Sequence, residues 1–312
     1  MRYYFAPLEG LTDSIYRRLH STYFPGIHKY FTPFLSPTMH RELTKKELRE
    51  LPKADTLSYN CVPQILTKNS EDFRWMALQC KELGYSEVNL NLGCPSGTVT
   101  AKGKGAALLK DIQTLDAFLD EIFYNTGIDI SVKTRIGFES AEEFPALLEI
   151  FNKYPIKELI IHPRNRNAFY KGTVDIDAFR YAVRYSKNPL CFNGNLCSTG
   201  DIQHFQKEFP QANAVMLGRG LIGDPGMLSD SKDNSTLQAF YDALLEEYQI
   251  AFGSSRNAMF RLKENFRYLL CKFEDSERLG KRLRKTTDVN EYREITHAIF
   301  RLKQKSHLTP DW

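Results

Sequence analysis

Eight short apolar runs of strand length recur through the first 217 residues, and helical patterns lie between most of them. The runs fall near Tyr3–Ala6, His28–Thr32, Val62–Leu66, Glu87–Leu92, Asp129–Thr134, Glu158–His162, Leu190–Asn193 and Ala214–Leu217. Helical patterns occupy 13–23, 70–84, 113–125, 140–153, 175–186 and 199–209, with Thr12-Asp13 and Ser70 placed as helix caps. Strand alternating with helix builds a parallel sheet, because parallel neighbours need a crossover between them. Eight such repeats are the number that closes a barrel. The expected fold is therefore α/β, a (β/α)8 TIM barrel. An open doubly wound sheet is the alternative. It is disfavoured because no dinucleotide-type glycine-rich turn follows the first strand. The connection over residues 33–58 is longer than usual, irregular and then charged.

The pattern changes after Gly223-Asp224-Pro225-Gly226. Residues 230–235 are polar, and from there the chain reads as helix to about Lys305. Met259, Leu262, Phe266, Leu269 and Phe273 recur at spacings of three and four, which is one apolar stripe on a helix. Arg256, Lys263 and Arg267 lie off it, and Gly280 and Thr286–Asp288 read as helix breaks. The expected organisation is a barrel over 1–229 followed by a small all-α bundle over 236–312.

Charge divides along the same line. The whole chain carries +4, yet residues 256–305 hold fourteen Lys/Arg against seven Asp/Glu, so the rest is weakly acidic. A basic helical segment on an acidic body suits a polyanionic partner. The other totals exclude classes. Hydrophobic residues make up 42% and charged residues 26%, ordinary for a globular chain with a full core. No apolar run is long enough for a bilayer, and Met1–Phe5 enter a strand pattern with no secretory layout, so a cytoplasmic protein is expected; a monomer is expected as well. Six scattered cysteines include no CxxC pair and no zinc spacing, so no metal is expected. Cys80, Cys191, Cys197 and Cys271 read as small buried hydrophobes, with Cys61 open.

Barrel chemistry gathers at the C-terminal ends of the strands. Strand four runs Val88, Leu90, Leu92 and breaks at Gly93-Cys94-Pro95, which lifts a thiol out of a buried strand into a loop. The other ends supply Pro7-Leu8-Glu9, Gln64, Asn91, Lys133 with Arg135, His162 with Arg164, Asn193-Gly194-Asn195 and Gly218-Arg219. Glycines beside Arg219, after the last two strands, suit a phosphate. Lys133 ends a strand expected to be buried on both faces, where an ammonium calls for an anion; a lysine reaching for the rim is the plainer alternative. Lys102 and Lys104 lie in loop 95–105, which follows Cys94.

Together these segments resemble the tRNA-dihydrouridine synthases. The likeness runs through APLEGLTD (6–13), PQIL (63–66), NLNLGCPS (89–96), KGKGAALL (102–109), VKTRIGF (132–138), His162 with Arg164, NGN (193–195), and VMLGRG with GDP (215–225). The resemblance implies FMN with NADPH or NADH as reductant, and tRNA as substrate. It implies hydride delivery to C6 of a uracil and Cys94 as the acid that protonates C5. It places the FMN phosphate at Asn193, Gly194, Gly218 and Arg219 and the ring near Pro7, Leu8, Glu9, Gln64, Lys133 and His162, with Asn195 among the cofactor contacts and Asn91 holding flavin or base. Substrate contacts fall to Arg135, Arg164, Lys102 and Lys104, and to Arg256, Lys263 and Arg267 on the helical segment. Two positions depart from the family pattern: Pro163, where glycine is common, and Asn195, where aspartate is common. Two other readings stand beside this one: a flavin barrel acting on a small free pyrimidine, like dihydroorotate dehydrogenases, and a non-catalytic RNA-binding barrel.

Overall fold

The computed structural model describes residues 1–38, 40–124 and 126–308. Three parts of the expectations lie outside these: residue 39, within the connection 33–58, residue 125, at the end of the helical pattern 113–125, and residues 309–312 of the expected helical domain. All neighbouring strands whose register is defined run parallel: β1 (Arg2–Phe5), β2 (Lys29–Phe31), β3 (Cys61–Val62), β4 (Gln64–Ile65), β5 (Glu87–Leu92), β6 (Asp129–Arg135), β7 (Leu159–His162), β8 (Leu190–Phe192) and β9 (Ala214–Leu217). Their order is β3-β2-β1-β9-β8-β7-β6-β5-β4.

The two outer strands of that order, β3 and β4, are separated in the chain only by Pro63. The single strand expected at Val62–Leu66 is therefore divided. Pro63 has no N–H to donate, so the ladder cannot run through it. Before it, Cys61 and Val62 pair with β2; after it, Gln64 and Ile65 pair with β5. Leu35 bridges to Ile65 on the β2 side, so the sheet returns upon itself. The result is the expected eight-stranded barrel, with one strand turning at a proline from one neighbour to the other.

Tyr4, Ala6, Phe31, Val62, Ile160, Cys191, Ala214 and Met216 form one buried cluster. At the N-terminal ends of the strands, Lys29 Nζ lies 2.6 Å from Glu87 Oε2 and 3.7 Å from Glu158 Oε2. Arg2 and Tyr4 both donate to Glu158 Oε1, at 3.1 and 3.0 Å. Burial still holds the Glu158 carboxyl above the usual range, so this end is a structural plug.

By packing, the chain forms two compact units that do not follow its linear order. The first holds Met1–Pro7, His28–Gly194 and Phe205–Met216; the second holds Leu8–Ile27, Asn195–His204 and the chain from Leu217 onward. The first βα helix, Ser14–Tyr23, thus belongs with the helices beyond residue 230. The reason lies in its aromatic face: Tyr16, Tyr23 and the following Phe24 set their rings 5.4, 5.7 and 5.1 Å from that of Phe240.

Besides the short helix Arg219–Gly223, the second unit holds the helices Asn234–Phe252, Ser255–Leu269, Glu277–Lys285 and Val289–Ile299. The expected stripe Met259, Leu262, Phe266, Leu269 and Phe273 is fully buried. Two local expectations are corrected. Gly280 does not break a helix: it lies within Glu277–Lys285, where a Cβ would come 2.7 Å from Leu270 Cδ1. The cap of helix Ser70–Glu82 is Asn69, whose side chain accepts from Asp72 N, while Ser70 Oγ donates to Glu121. Thr286–Asp288 is a break, with Asp288 capping the last helix.

Candidate active site

Cys94 stands two residues beyond β5, and the turn carrying it is held from two sides. Asn91 Oδ1 accepts from Gly93 N at 3.0 Å and from Cys94 N at 2.9 Å. Arg135 Nε donates to Gly93 O at 2.8 Å. The Asn91 amide is itself fixed, because Nδ2 donates to Gln64 Oε1 at 2.7 Å. Gln64 Nε2 continues to Asn89 Oδ1, and Asn89 Nδ2 to Ser131 Oγ, each at 2.9 Å. Asn91 and Gln64 thus form a buried polar chain whose visible work is to place the thiol.

The loop after Cys94 packs back onto it. Ala106 N donates to Cys94 O at 3.1 Å. Gly105 has φ +61, and a Cβ there would lie 2.9 Å from Cys94 O and 3.0 Å from its Cβ. Only glycine suits both the backbone and the space. Lys102 is exposed and Lys104 half-buried on this loop.

Lys133 is the cation of the site. It is largely covered on β6, with no hydrogen bond or carboxylate partner among the described residues. Desolvation, and then the Arg135 charge, bring its ammonium down to about 8, while the Cys191 and Cys94 thiols act weakly the other way. Cys80 and Cys191 are buried as expected and Cys61 is buried too, but Cys197 and Cys271 are only half-buried; three of these thiols are poorer acids than a free cysteine. Burial pushes Cys80 to about 12, Cys197 to about 11, and Cys191 well above its ordinary value.

Around the rim, His162 ends β7 with Nε2 3.0 Å from Arg164 Nη1. A guanidinium can only donate, so Nε2 accepts and the ring proton sits on Nδ1. Arg164 is buried and also donates to Lys171 O and Gly172 O, which folds the loop 165–174. Arg135 Nη1 donates to Asn165 O at 2.9 Å, and burial holds its guanidinium below the ordinary value. Tyr170, absent from the expected set, stacks on His162 at 6.0 Å and lies 5.4 Å from the Arg135 guanidinium while staying half exposed. It stands in an irregular loop, so no periodicity marks it. Asn193 Nδ2 donates to Met216 O at 2.8 Å, and Gly194 is required by packing, since a Cβ would strike the Phe192 ring at 2.3 Å. Pro7 ends this unit's first segment.

In the second unit, Leu8 N donates to Thr12 Oγ1 at 2.8 Å, and Glu9 is exposed. Asp13 caps its helix and also accepts from Tyr248 Oη at 2.8 Å and Arg261 Nη2 at 2.5 Å. Loop 8–13 is therefore anchored by the helical segment. Arg219 Nη2 donates to Asn195 Oδ1 at 3.1 Å, beside the N-terminal residue Gly218 of a short helix. Asparagine at 195 accepts this bond without adding a negative charge. Arg256 and Arg267 are exposed. Lys263 is not free: its ammonium donates to Thr286 O and, at 3.4 Å, to Arg284 O, which caps helix Glu277–Lys285.

The barrel is similar to solved structures of old-yellow-enzyme type. TcOYE with pHBA matches with a TM-score of 0.53 at 10% identity, over 77% of this chain and 89% of that one. A variant of NCR from Zymomonas mobilis matches with 0.50 at 14% identity, over 72% and 83%. At these identities the likeness defines the fold. The dihydrouridine synthase family model matches residues 4–307, and the chain belongs to that family of oxidoreductases. Among its relatives, the tRNA-dihydrouridine(16) synthase of Shigella flexneri is 26% identical over 91% of this chain and 94% of its own length. The tRNA-dihydrouridine synthase B of Pasteurella multocida is 25% identical over 72% of this chain and 67% of its own. Among the described residues, no helix is long and apolar enough to cross a membrane.

Proposed function

We propose that this enzyme reduces a uridine of tRNA to 5,6-dihydrouridine, with Cys94 as the proton donor to C5. The single observation that carries the reading is the Cys94 turn, pinned by Asn91 and Arg135 beside an ammonium with no anion of its own. A general acid must be held within tenths of an ångström of the atom that it protonates. A free thiol is mostly protonated at neutral pH and needs no tuning for that task.

The residues fit a flavin. Lys133 lacks the partner that a buried ammonium needs, and an anionic ring edge supplies one. FMN, recharged by NADPH or NADH, would furnish the hydride. On the barrel, Gln64, Lys133 and His162 would hold the ring, and Asn193 and Gly194 would meet the phosphate. Leu8, Glu9, Asn195, Gly218 and Arg219, in the second unit, keep the cofactor-binding role that the family resemblance implies for them. Arg135 and Tyr170 would orient the base after it leaves its stack. Lys102 and Lys104, with Arg164 shaping its loop, would meet the flanking backbone. Region 1–229 would perform the chemistry and region 236–312 would hold the tRNA through phosphate contacts of Arg256 and Arg267, in the cytoplasm and as a monomer. The relative that matches almost end to end is by name a synthase for position 16, which makes position 16 the first target to test.

Mass mapping of tRNA after incubation with the protein, FMN and NADPH tests the reading. Dihydrouridine at one position of the tRNA supports it. Unchanged tRNA, with turnover of a free pyrimidine instead, would replace it with the small-molecule reading.

A further inference from the structure

We infer that Phe260 is a stacking platform for an unpaired nucleotide of the RNA substrate, and that Arg256 takes that nucleotide's phosphate. This rests on the substrate class proposed above. Helix Ser255–Leu269 buries Met259, Leu262, Phe266 and Leu269, but Phe260 falls off that stripe and is 41% exposed. A phenylalanine has no polar atom to place in water, so its exposure gains the folded chain nothing by itself. Its surroundings give the exposure a use. The Arg256 guanidinium, one turn earlier, lies 5.5 Å from the ring centroid, and the Lys263 ammonium, one turn later, lies 4.8 Å from it.

Neither cation forms an ion pair with a carboxylate among the described residues, although the Glu291 charge acts on Lys263. Lys263 is tethered to the carbonyls of residues 284 and 286, so it stays beside the ring. Arg256 is exposed and can swing. The preceding helix of the same hairpin ends with Ile250 and Phe252 also exposed, and Gly253 turns the chain with φ +59. An aromatic face flanked by cations, one of them exposed and outside any ion pair, is the surface that unpaired RNA uses: the base stacks and the backbone meets the charge. An exposed cation–π contact is weaker than base–aromatic stacking, so an arriving base displaces Arg256 from the ring toward the phosphate. A protein partner would suit the apolar side chains, but it gives no account of the paired cations.

The test is the affinity of the FMN-loaded full-length protein for an unmodified tRNA transcript, titrated at several salt concentrations. Phe260→Ala and Phe260→Leu should both weaken binding by about five- to fifty-fold. Phe260→Trp should bind as tightly as the original, and the salt slope should be unchanged in all three. Arg256→Gln should lower that slope by about one. Thermal midpoints should match, since both side chains are exposed. Phe260→Ala binding within twofold of the original would overturn the inference, as would Phe260→Leu restoring affinity, which is the outcome for plain apolar contact. Failure of the unaltered protein to make dihydrouridine, with Phe260 still needed for RNA binding, would instead remove the proposed reaction and leave this surface standing.

Discussion

The Cys94 turn and the outer face of helix Ser255–Leu269 handle polar groups in opposite ways. At the turn almost every donor is matched: Asn91, Gln64, Asn89 and Arg135 form closed hydrogen-bond chains, and Gly105 leaves no slack against the cysteine. On the helix, Arg256 and Arg267 stand in solvent and Phe260 is left uncovered. The contrast matches the two roles proposed for these surfaces. Proton transfer depends steeply on position, so the backbone around an acid is over-determined. Holding a polyanion depends on charge and tolerates loose side chains.

The largest expected effect breaks the chemistry and spares the docking. Cys94→Ala should lower dihydrouridine formation by about 10²- to 10⁴-fold, the usual worth of a general acid, with tRNA affinity unaltered. Asn91→Ala attacks the same turn without touching sulfur. It strands the N–H groups of residues 93 and 94 and should cost about 2 kcal/mol in denaturant unfolding and more than tenfold in turnover.

Lys133 sharpens the contrast through pH. Its ammonium falls to about 8 when folded, from an ordinary 10.5. Between those values the unfolded chain holds the proton and the folded chain does not, so the flavin-free protein gains stability as pH rises across that window. Below pH 8 both states are protonated and the penalty, about 3 kcal/mol, is present in full. Lys133→Met should therefore raise the thermal midpoint of the flavin-free protein at pH 7. In the unaltered protein, FMN affinity should fall as pH rises through about 8, because the charge that attracts an anion is then lost.

The smallest effects separate the basic residues of one helix. Arg267→Ala should reduce the salt slope of tRNA binding by about one and leave stability unchanged. Lys263→Ala should lower stability by about 1 kcal/mol, because its ammonium is spent on helix carbonyls.

The barrel was legible because a buried parallel strand must be apolar throughout and must be followed by a crossover. Glu87–Leu92 and Ala214–Leu217 match their expected bounds to the residue. The division at Pro63 was written in the sequence too, as a missing donor, but only the return of β4 to β5 shows its use. Side-chain partners distant in sequence were not legible. Asp13 reads as a helix cap, and nothing near it announces Tyr248 or Arg261. Lys263 and Arg267 look alike on a helical wheel, and only the fold shows that one of them caps the next helix. Tyr170 escaped notice because an irregular loop has no period to read.

The account stands or falls on what the Cys94 thiol does once the enzyme is reduced. The direct measurement mixes reduced, FMN-loaded protein with unmodified tRNA without oxygen and follows flavin reoxidation in a single turnover, for the original chain and for Cys94→Ala. The prediction is rapid reoxidation with dihydrouridine formed in the original, and reoxidation slowed by at least about a hundredfold in the variant despite equal tRNA binding. Equal rates in the two proteins, with product in both, would contradict it.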